Sequence, residues 1–245
     1  MSASATASPS GAAEGAAGDR PRRARSRGRS RGRELLTVVL VALLLAFLIK
    51  TFLVQMFVIP SGSMMGTLQK GDRVAVDRLS PWFGEQPHRG EVVVFRDPGG
   101  WLPGEQPSGG FAGAVQDLLS GIGLAPAAGE QDLIKRVIAV GGDTVECDAG
   151  RPLKVNGTVL AEPYLYPGAT PCDDYPVGTL TVPAGHLWVM GDHRNDSRDS
   201  RYNRLHNPAG GFVPVDHVVG RARFVVWPLP RWASLPVPAA FARLG

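Results

Sequence analysis

Two serines flank a glycine at Ser61-Gly62-Ser63, after a proline and before two methionines. A serine hydroxyl becomes a strong nucleophile only when a neighbouring base takes its proton. Ser63 does not stand in the Gly-x-Ser-x-Gly turn that presents the nucleophile of α/β-hydrolases. The segment is therefore either a polar connector or a nucleophile whose base lies elsewhere in the chain.

Lys135 is a candidate for that base, because it interrupts an apolar run at residues 132–143. In a strand it shares its face with Leu133, Val137 and Ala139. Burial on such a face disfavours the ammonium and lowers the pKa, and a neutral amine can accept a proton from serine. The alternative is an edge-strand lysine that blocks aggregation, although Arg136 on the other face suits that solvated role better.

A third segment, residues 190–201, is rich in Asp, Ser and Arg and begins where the apolar run 187–190 ends. It is either a solvated loop or a source of hydrogen bonds that orient a catalytic pair. Asp192-His193 would suit a Ser-His-Asp triad, but adjacent residues of an extended chain point to opposite sides. The five histidines lack metal-ligand spacing such as His-Glu-x-x-His, which argues against a metalloprotease.

Strands must position these groups. Apolar runs rich in β-branched or aromatic residues predict strands at 74–76, 91–95, 133–140, 187–190 and 222–227. Asn156-Gly157 predicts a hairpin turn between 154–155 and 158–159. A helix is expected at 113–122, inside a Gly- and Pro-rich loop or insertion at 97–131. The fold class is mainly β, and residues 228–245 form a tail too broken for a second spanning helix.

The N-terminal region divides sharply in composition. Residues 1–33 contain eight arginines and few bulky apolar groups, so we expect a disordered cytoplasmic tail. Residues 34–55 predict one transmembrane helix, since the run from Leu35 to Val54 reaches the length that a bilayer needs. A small-x-small cleavage site is absent after it, which favours an uncleaved anchor over a signal peptide. The arginines predict that the N-terminus lies in the cytoplasm. Residues 56–227 would then form an extracytoplasmic domain, held at the cell membrane by a single span.

Net charge excludes one class of partner. The whole chain carries +4, but the first 33 residues carry +6, so the remainder is slightly acidic. A nucleic-acid-binding core is therefore not expected. Two cysteines are too few for a disulfide-rich scaffold. Cys147 and Cys172 both lie outside the membrane, where disulfides persist, and we expect them to be bonded.

In order and type, these segments resemble the type I signal peptidases, which are membrane-anchored Ser/Lys proteases. The resemblance rests on the anchor, the Ser-x-Ser-Met segment, the strands around 73–77 and 89–95, the Lys-Arg segment and the Gly-Asp loop. It implies an antiparallel β-sheet catalytic domain with Ser63 as nucleophile and Lys135 as general base. Ser61 would help to form the oxyanion hole, and Ser197 would hydrogen-bond Lys135 and orient it.

The resemblance also implies the reaction. Exported preproteins would be cut after a small-x-small motif through an acyl-enzyme, with no metal or organic cofactor, at the surface of the lipid bilayer. Loop support is implied for Asp192, Arg194, Asp199 and Arg201. Shallow substrate pockets would be lined by Ile59, Pro60, Leu68 and Ile134.

Two departures from the family pattern stand out. Gly66 occupies a position that is usually proline, and the usual Gly-Asp-Asn-Arg-Asp-Asn-Ser is here Gly-Asp-His-Arg-Asn-Asp-Ser, which introduces His193. Two other hypotheses compete with a signal peptidase. A self-cleaving repressor-type Ser/Lys peptidase would be soluble, and the anchor argues against it. An inactive membrane-anchored β-domain that binds exported chains would not need the set Ser63, Lys135 and Ser197.

Overall fold

The computed structural model describes residues 28–48, 54–82, 84–102, 132–207 and 210–244. The chain divides into two compact units, with the boundary between Leu44 and Leu45. Helix α1, Gly28–Leu48, begins inside the segment expected to be disordered, since arginine is a good helix former. Apolar side chains of this helix are exposed, as at Leu35 and Leu40. Within the described ranges, no helix combines the length and the apolar character needed to cross a membrane.

The second unit is built mainly of β-strands. Their bounds are β1 Val54–Val58, β2 Arg73–Asp77, β3 Val92–Arg96, β4 Asp132–Val140, β5 Thr144–Cys147, β6 Lys154–Val155, β7 Thr158–Val159, β8 Gly178–Thr181, β9 His186–Met190, β10 Val213–Pro214, β11 Val218–Trp227 and β12 Ala233–Ser234. The described helices of this unit are short, α2 Leu79–Trp82 and α3 Ser200–His206. The predicted helix at 113–122 and most of the 97–131 insertion lie outside the described residues.

Antiparallel pairing joins the strands into two sheets. The larger has eight strands in the order β1-β2-β11-β3-β4-β9-β10, with β12 paired to β11. The smaller has the order β7-β6-β5-β8. The mainly β, antiparallel class is therefore confirmed. The hairpin is confirmed as well, because Asn156 and Gly157 have φ values of 52° and 75° between paired β6 and β7.

Strand β1 corrects the C-terminal end of the predicted anchor. Lys50 and Thr51 interrupt the apolar run, but Phe52, Leu53 and Val54 resume it, so composition alone gave no clear end to the helix. In the structure, residues 54–58 pair with β2, with Met56 opposite Ala75 and Val58 opposite Arg73. Residues 54 and 55, expected to end the anchor, therefore belong to the sheet rather than to a helix.

The C-terminal residues belong to the folded unit. Phe241 and Leu244 are buried in a hydrophobic cluster that also contains Trp188 and Met190 of β9. Cys147 and Cys172 lie in the same cluster, fully buried and joined by a disulfide with a Cα–Cα distance of 5.4 Å. This bond ties the end of β5 to the segment that precedes β8.

Candidate active site

A tight turn between β1 and β2 presents Ser63. The Met65 N–H donates to the Gly62 carbonyl at 2.9 Å, and the Leu68 N–H donates to the Met64 carbonyl at 2.8 Å. Met64 and Leu68 have no exposed surface and hold the turn against the core below it. Ser63 itself is 6% exposed, so its hydroxyl lies in a largely dry environment.

Lys135 approaches the same hydroxyl from β4. Its Nζ donates to Ser63 Oγ at 2.7 Å and to the Ile134 carbonyl at 3.1 Å. The edge-strand alternative is wrong, because β4 is paired on both sides, with Val93 opposite Lys135 on β3 and Met190 opposite Arg136 on β9. A buried central strand therefore brings together two residues that lie 72 positions apart.

Burial lowers the pKa of Lys135 to about 8, and the carboxylates of Asp199, Asp192 and Asp196 raise it only partly back. An amine with this pKa is substantially neutral in mildly alkaline solution. In that state Nζ holds a lone pair, and the hydrogen bond reverses so that the Ser63 hydroxyl donates to Nζ. The arrangement can activate a serine without a histidine.

The two other serines differ in their contacts. Ser61 is exposed, with its Oγ 3.3 Å from Ser63 Oγ. Ser197 Oγ is buried and has no hydrogen-bond partner among the described residues, so the structure lacks the bond to Lys135 that the resemblance implies. It lies against Gly191, where a Cβ would be 2.3 Å from Ser197 Oγ and 2.5 Å from the Ser63 carbonyl oxygen. Only glycine fits between the loop and the nucleophile.

The residues expected to line substrate pockets divide into buried and exposed members. Ile59, Leu68 and Ile134 join the core cluster beneath the turn, with exposures of 2%, 0% and 7%. Pro60 is exposed. Leu68 therefore offers no surface to a substrate, whereas Pro60 does, and the Ile134 carbonyl accepts from Lys135 Nζ.

The beginning of the polar loop is attached to β4 by a buried ion pair. Asp192 accepts from Arg136 Nε at 2.9 Å and from Arg136 Nη2 at 2.6 Å, and the Thr67 hydroxyl donates to the same carboxylate at 2.5 Å. Arg136 also donates to the Gly90 carbonyl at 2.8 Å. The solvated role expected for Arg136 is wrong, since only 2% of the residue is exposed. Because Arg136 follows Lys135, this pair sets the position of the loop relative to the dyad.

The rest of the loop is a network of buried charges. Asp199 accepts from Arg201 Nε and Nη2 at 3.0 and 2.9 Å and from the Gly191 N–H at 3.0 Å. Burial raises the pKa of Asp199, but the charge and hydrogen bonds of Arg201 outweigh that effect and hold the pKa below its ordinary value. All three residues are buried, so the solvated-loop alternative is wrong for most of the segment, although Asn195, Asp196 and Arg198 are exposed.

Glu162 completes the network and was missed in the sequence. It pairs with Arg194, which is fully buried, and accepts from the Tyr164 hydroxyl at 3.0 Å. Arg194 and Arg201 both donate to the carbonyl of Pro171, at 3.2 and 3.0 Å. Nothing in the sequence near Glu162 signals a buried arginine partner from a segment 32 residues away.

The backbone conformation at residue 66 explains why a glycine stands where the family usually has a proline. It has a φ of +106°, which a proline ring cannot adopt, and a Cβ there would lie 2.6 Å from the Tyr164 carbonyl oxygen. The segment that carries Tyr164 therefore approaches the backbone of the nucleophile turn closely.

Gly66→Ala is expected to destabilise the fold by about 2–4 kcal/mol, since it adds a steric clash to the left-handed strain. Gly142 is a matched control, because its φ is +94° and a Cβ would meet nothing within 4 Å. Gly142→Ala should cost only about 1 kcal/mol. Urea unfolding of both variants measures the difference, and equal losses would show that the contact with Tyr164 contributes nothing.

The chain is similar to known proteins over most of its length. The family described as "Signal peptidase, peptidase S26" matches residues 32–227. The chain is 45% identical over 201 residues to "Signal peptidase I" of Mycobacterium tuberculosis (strain ATCC 25618 / H37Rv), a match covering 74% of this chain and 68% of that protein. It is 42% identical over 211 residues to "Probable signal peptidase I" of Mycobacterium leprae (strain TN), covering 76% and 72%. It is 35% identical over 193 residues to "Signal peptidase I" of Leptolyngbya laminosa, covering 79% and 78%.

Proposed function

Since the chain belongs to the signal peptidase family, peptidase S26, we propose that it removes signal peptides from exported preproteins with Ser63 as nucleophile and Lys135 as general base. One observation carries the assignment of the dyad. A lysine that is 4% exposed, with its pKa lowered to about 8, has its Nζ 2.7 Å from a serine hydroxyl.

The dyad accounts for the reaction without a further catalyst. Ser63 Oγ attacks the scissile carbonyl carbon while its proton passes to the neutral Lys135 amine. The tetrahedral intermediate then expels the amine of the mature protein, which takes that proton. A water molecule next attacks the acyl-enzyme and gives its proton to Lys135. Collapse of the second tetrahedral intermediate breaks the bond between the acyl carbon and Ser63 Oγ, which takes the proton back from the Lys135 ammonium. The signal peptide leaves as a carboxylic acid that ionises in water, so the enzyme ends as it began.

The negative oxygen of each tetrahedral intermediate needs donors. The backbone N–H of Ser63 is available, because within the described part of the chain it donates to no other group. Ser61 Oγ, 3.3 Å from Ser63 Oγ, is close enough to supply a second donor after a rotation about its side-chain bond. Preorganised donors of this kind are among the largest contributions to acyl-transfer catalysis.

The substrate is proposed to bind as an added strand. β1 is an edge strand of the larger sheet and leads through Ile59 and Pro60 directly to Ser63. An extended signal peptide paired along this edge would bring its scissile bond to the dyad.

Cleavage of a purified preprotein tests this function. The parent enzyme should release the mature protein with a new N-terminus after a small-x-small motif, and Ser63→Ala should not. Ser234→Ala, a change at an exposed serine of β12, serves as a control that should retain the parent rate. Binding of the preprotein without cleavage by any of the three proteins would favour the inactive binding domain instead.

We further propose that the enzyme is held at the cell membrane by the apolar run that begins at Leu35 and ends before β1, with the arginine-rich N-terminus on the cytoplasmic side. This anchor is shorter at its C-terminal end than the range 34–55 expected from the sequence. Leu35, Leu36 and Val38 are 69%, 60% and 65% exposed, as expected of side chains that would face lipid.

An apolar face of the larger sheet supports contact with the bilayer. Met56 aligns with Ala75 and Phe224, and Val58 aligns with Arg73 and Trp227. Met56, Val58, Phe224 and Trp227 are between 48% and 63% exposed, whereas Ala75 between two of them is buried. Trp232, also exposed, lies in the chain that continues beyond β11. Large exposed apolar patches mark surfaces that contact proteins or membranes, and this one begins at the strand that follows the anchor.

Removal of residues 1–50 should leave a folded enzyme that still cleaves short peptides, because β1 and the dyad are retained. Cleavage of a preprotein embedded in vesicles should fall by about 10²-fold, since the local concentration that the bilayer provides is lost. The two activities are compared in parallel for full-length and truncated protein. Equal cleavage of the embedded substrate by both forms would contradict the anchor's role.

A further inference from the structure

His193 contacts the nucleophile turn through both its backbone and its ring. Its backbone N–H donates to the Ser63 carbonyl at 3.1 Å. Its ring Nδ1 lies 3.3 Å from the Gly62 carbonyl oxygen. A carbonyl oxygen only accepts, so Nδ1 carries a proton and donates in this contact. The two carbonyls that His193 binds lie on either side of the nucleophile.

Those two contacts define the orientation of the peptide planes around Ser63. The Gly62 carbonyl and the Ser63 N–H belong to one planar peptide and point in opposite directions. A donor fixed on the carbonyl side therefore fixes the direction of the N–H. The Gly62 carbonyl has two donors, His193 Nδ1 and the Met65 N–H at 2.9 Å, which together resist rotation of the plane.

The ring of His193 is itself held in place. Tyr166 lies against it with a centroid distance of 4.1 Å and an interplanar angle of 35°. The Tyr166 N–H donates to the carbonyl of Asp192 at 3.0 Å, and the Asp196 N–H donates to the carbonyl of His193 at 3.0 Å. The Tyr166 ring and these two backbone hydrogen bonds thus hold His193 in the position from which its Nδ1 donates.

We propose that His193 is a positioning residue that holds the Gly62–Ser63 peptide so that the Ser63 N–H faces the developing oxyanion. This role rests on the proposed function, in which that N–H stabilises the tetrahedral intermediates. His193 makes no hydrogen bond to Ser63 Oγ in the described structure, which leaves the proton transfer to Lys135. The ring therefore acts on the transition state through the backbone rather than on the hydroxyl.

Two substitutions separate this role from general support of the loop. Asparagine places its Nδ2 at the same point of the side chain as histidine Nδ1, so His193→Asn keeps a donor for the Gly62 carbonyl but has no second ring nitrogen to act as a base. His193→Leu keeps similar bulk and lacks any donor. His206→Leu is a matched control, because His206 also stacks on a tyrosine, Tyr202, and has its Nδ1 2.8 Å from a backbone carbonyl.

The test measures kcat and KM for peptide cleavage, together with the affinity of a substrate-like peptide aldehyde that forms a tetrahedral adduct with Ser63. We expect His193→Leu to lower kcat about 10- to 100-fold with little change in KM, as for a displaced oxyanion donor. Affinity for the aldehyde should fall by a similar factor. His193→Asn should stay within about threefold of the parent kcat, and His206→Leu should match the parent.

Several outcomes would overturn the proposal. A parent-like kcat for His193→Leu, a loss confined to KM, or equal damage by Leu and Asn would each exclude the positioning role. The proposed function fails in a different way, because it requires Lys135→Ala to be inactive. If Lys135→Ala cleaves the peptide while His193→Asn does not, His193 is the base and the dyad is wrong.

Discussion

Lys135→Arg is expected to be nearly as inactive as Lys135→Ala, with kcat/KM at least about 10³-fold below the parent for both. A guanidinium keeps its proton at every pH at which the fold survives, so it cannot deprotonate Ser63. A role in which Lys135 supplied only positive charge would predict the opposite, since arginine keeps the charge. Peptide cleavage by the purified variants, with thermal unfolding to show that each is folded, decides between the two roles.

The pH dependence of the parent enzyme gives a second test of the same base. The neutral amine is the active form, and its fraction rises as the pH rises through the pKa of about 8. Below that value kcat/KM should fall roughly tenfold per pH unit, and above it the rate should level off. An increase that continued to 10.5, the pKa of an ordinary lysine, would contradict the buried base.

Breaking the ion pair between Arg136 and Asp192 is expected to cost about 3–5 kcal/mol of folding free energy, because either single change leaves an unpaired buried charge. Their side chains are 3% and 0% exposed. Arg136→Met and Asp192→Leu should each show this loss in urea unfolding. The double variant should be more stable than the sum of the two losses predicts, by roughly 1–3 kcal/mol.

An exposed pair provides the control for that measurement. Lys154 and Glu146 are 3.0 Å apart, but their side chains are 38% and 30% exposed. Lys154→Met should change the free energy of unfolding by less than about 1 kcal/mol. Strict additivity at Arg136 and Asp192 would show that the loop is not held to β4 by this pair.

Local patterns in the sequence were enough to predict most of the sheet. Runs at 133–140 and 187–190 became β4 and β9 nearly unchanged, because β-branched residues between polar ends are a local signal. The apolar face of Lys135 was visible for the same reason. The sequence could not show which strands become neighbours. Arg136 was therefore expected to face solvent, because its partner Asp192 lies 56 residues away.

The boundaries of elements and the partners that lie far apart in sequence were harder to predict, for physical reasons. Apolar residues suit both a helix and a strand, so the start of β1 at Val54 left no trace in composition. Glu162 is one acidic residue in a Pro- and Tyr-containing segment, and its burial depends on Arg194 arriving from the loop. His193 drew attention only as a possible base, because its contact with the Gly62 carbonyl exists only in the folded turn.

The position of β11 sets the order in which the enzyme can mature. Residues 218–227 fill the gap between β2 and β3, which are synthesised much earlier in the chain. As the chain is synthesised from its N-terminus, Ser63 and Lys135 emerge early, but the two halves of the sheet cannot join until β11 follows. Such non-local pairing is slow compared with the formation of hairpins. We therefore expect Ser63 and Lys135 to come together only after residues 218–227 have been synthesised, so that shorter chains lack the dyad.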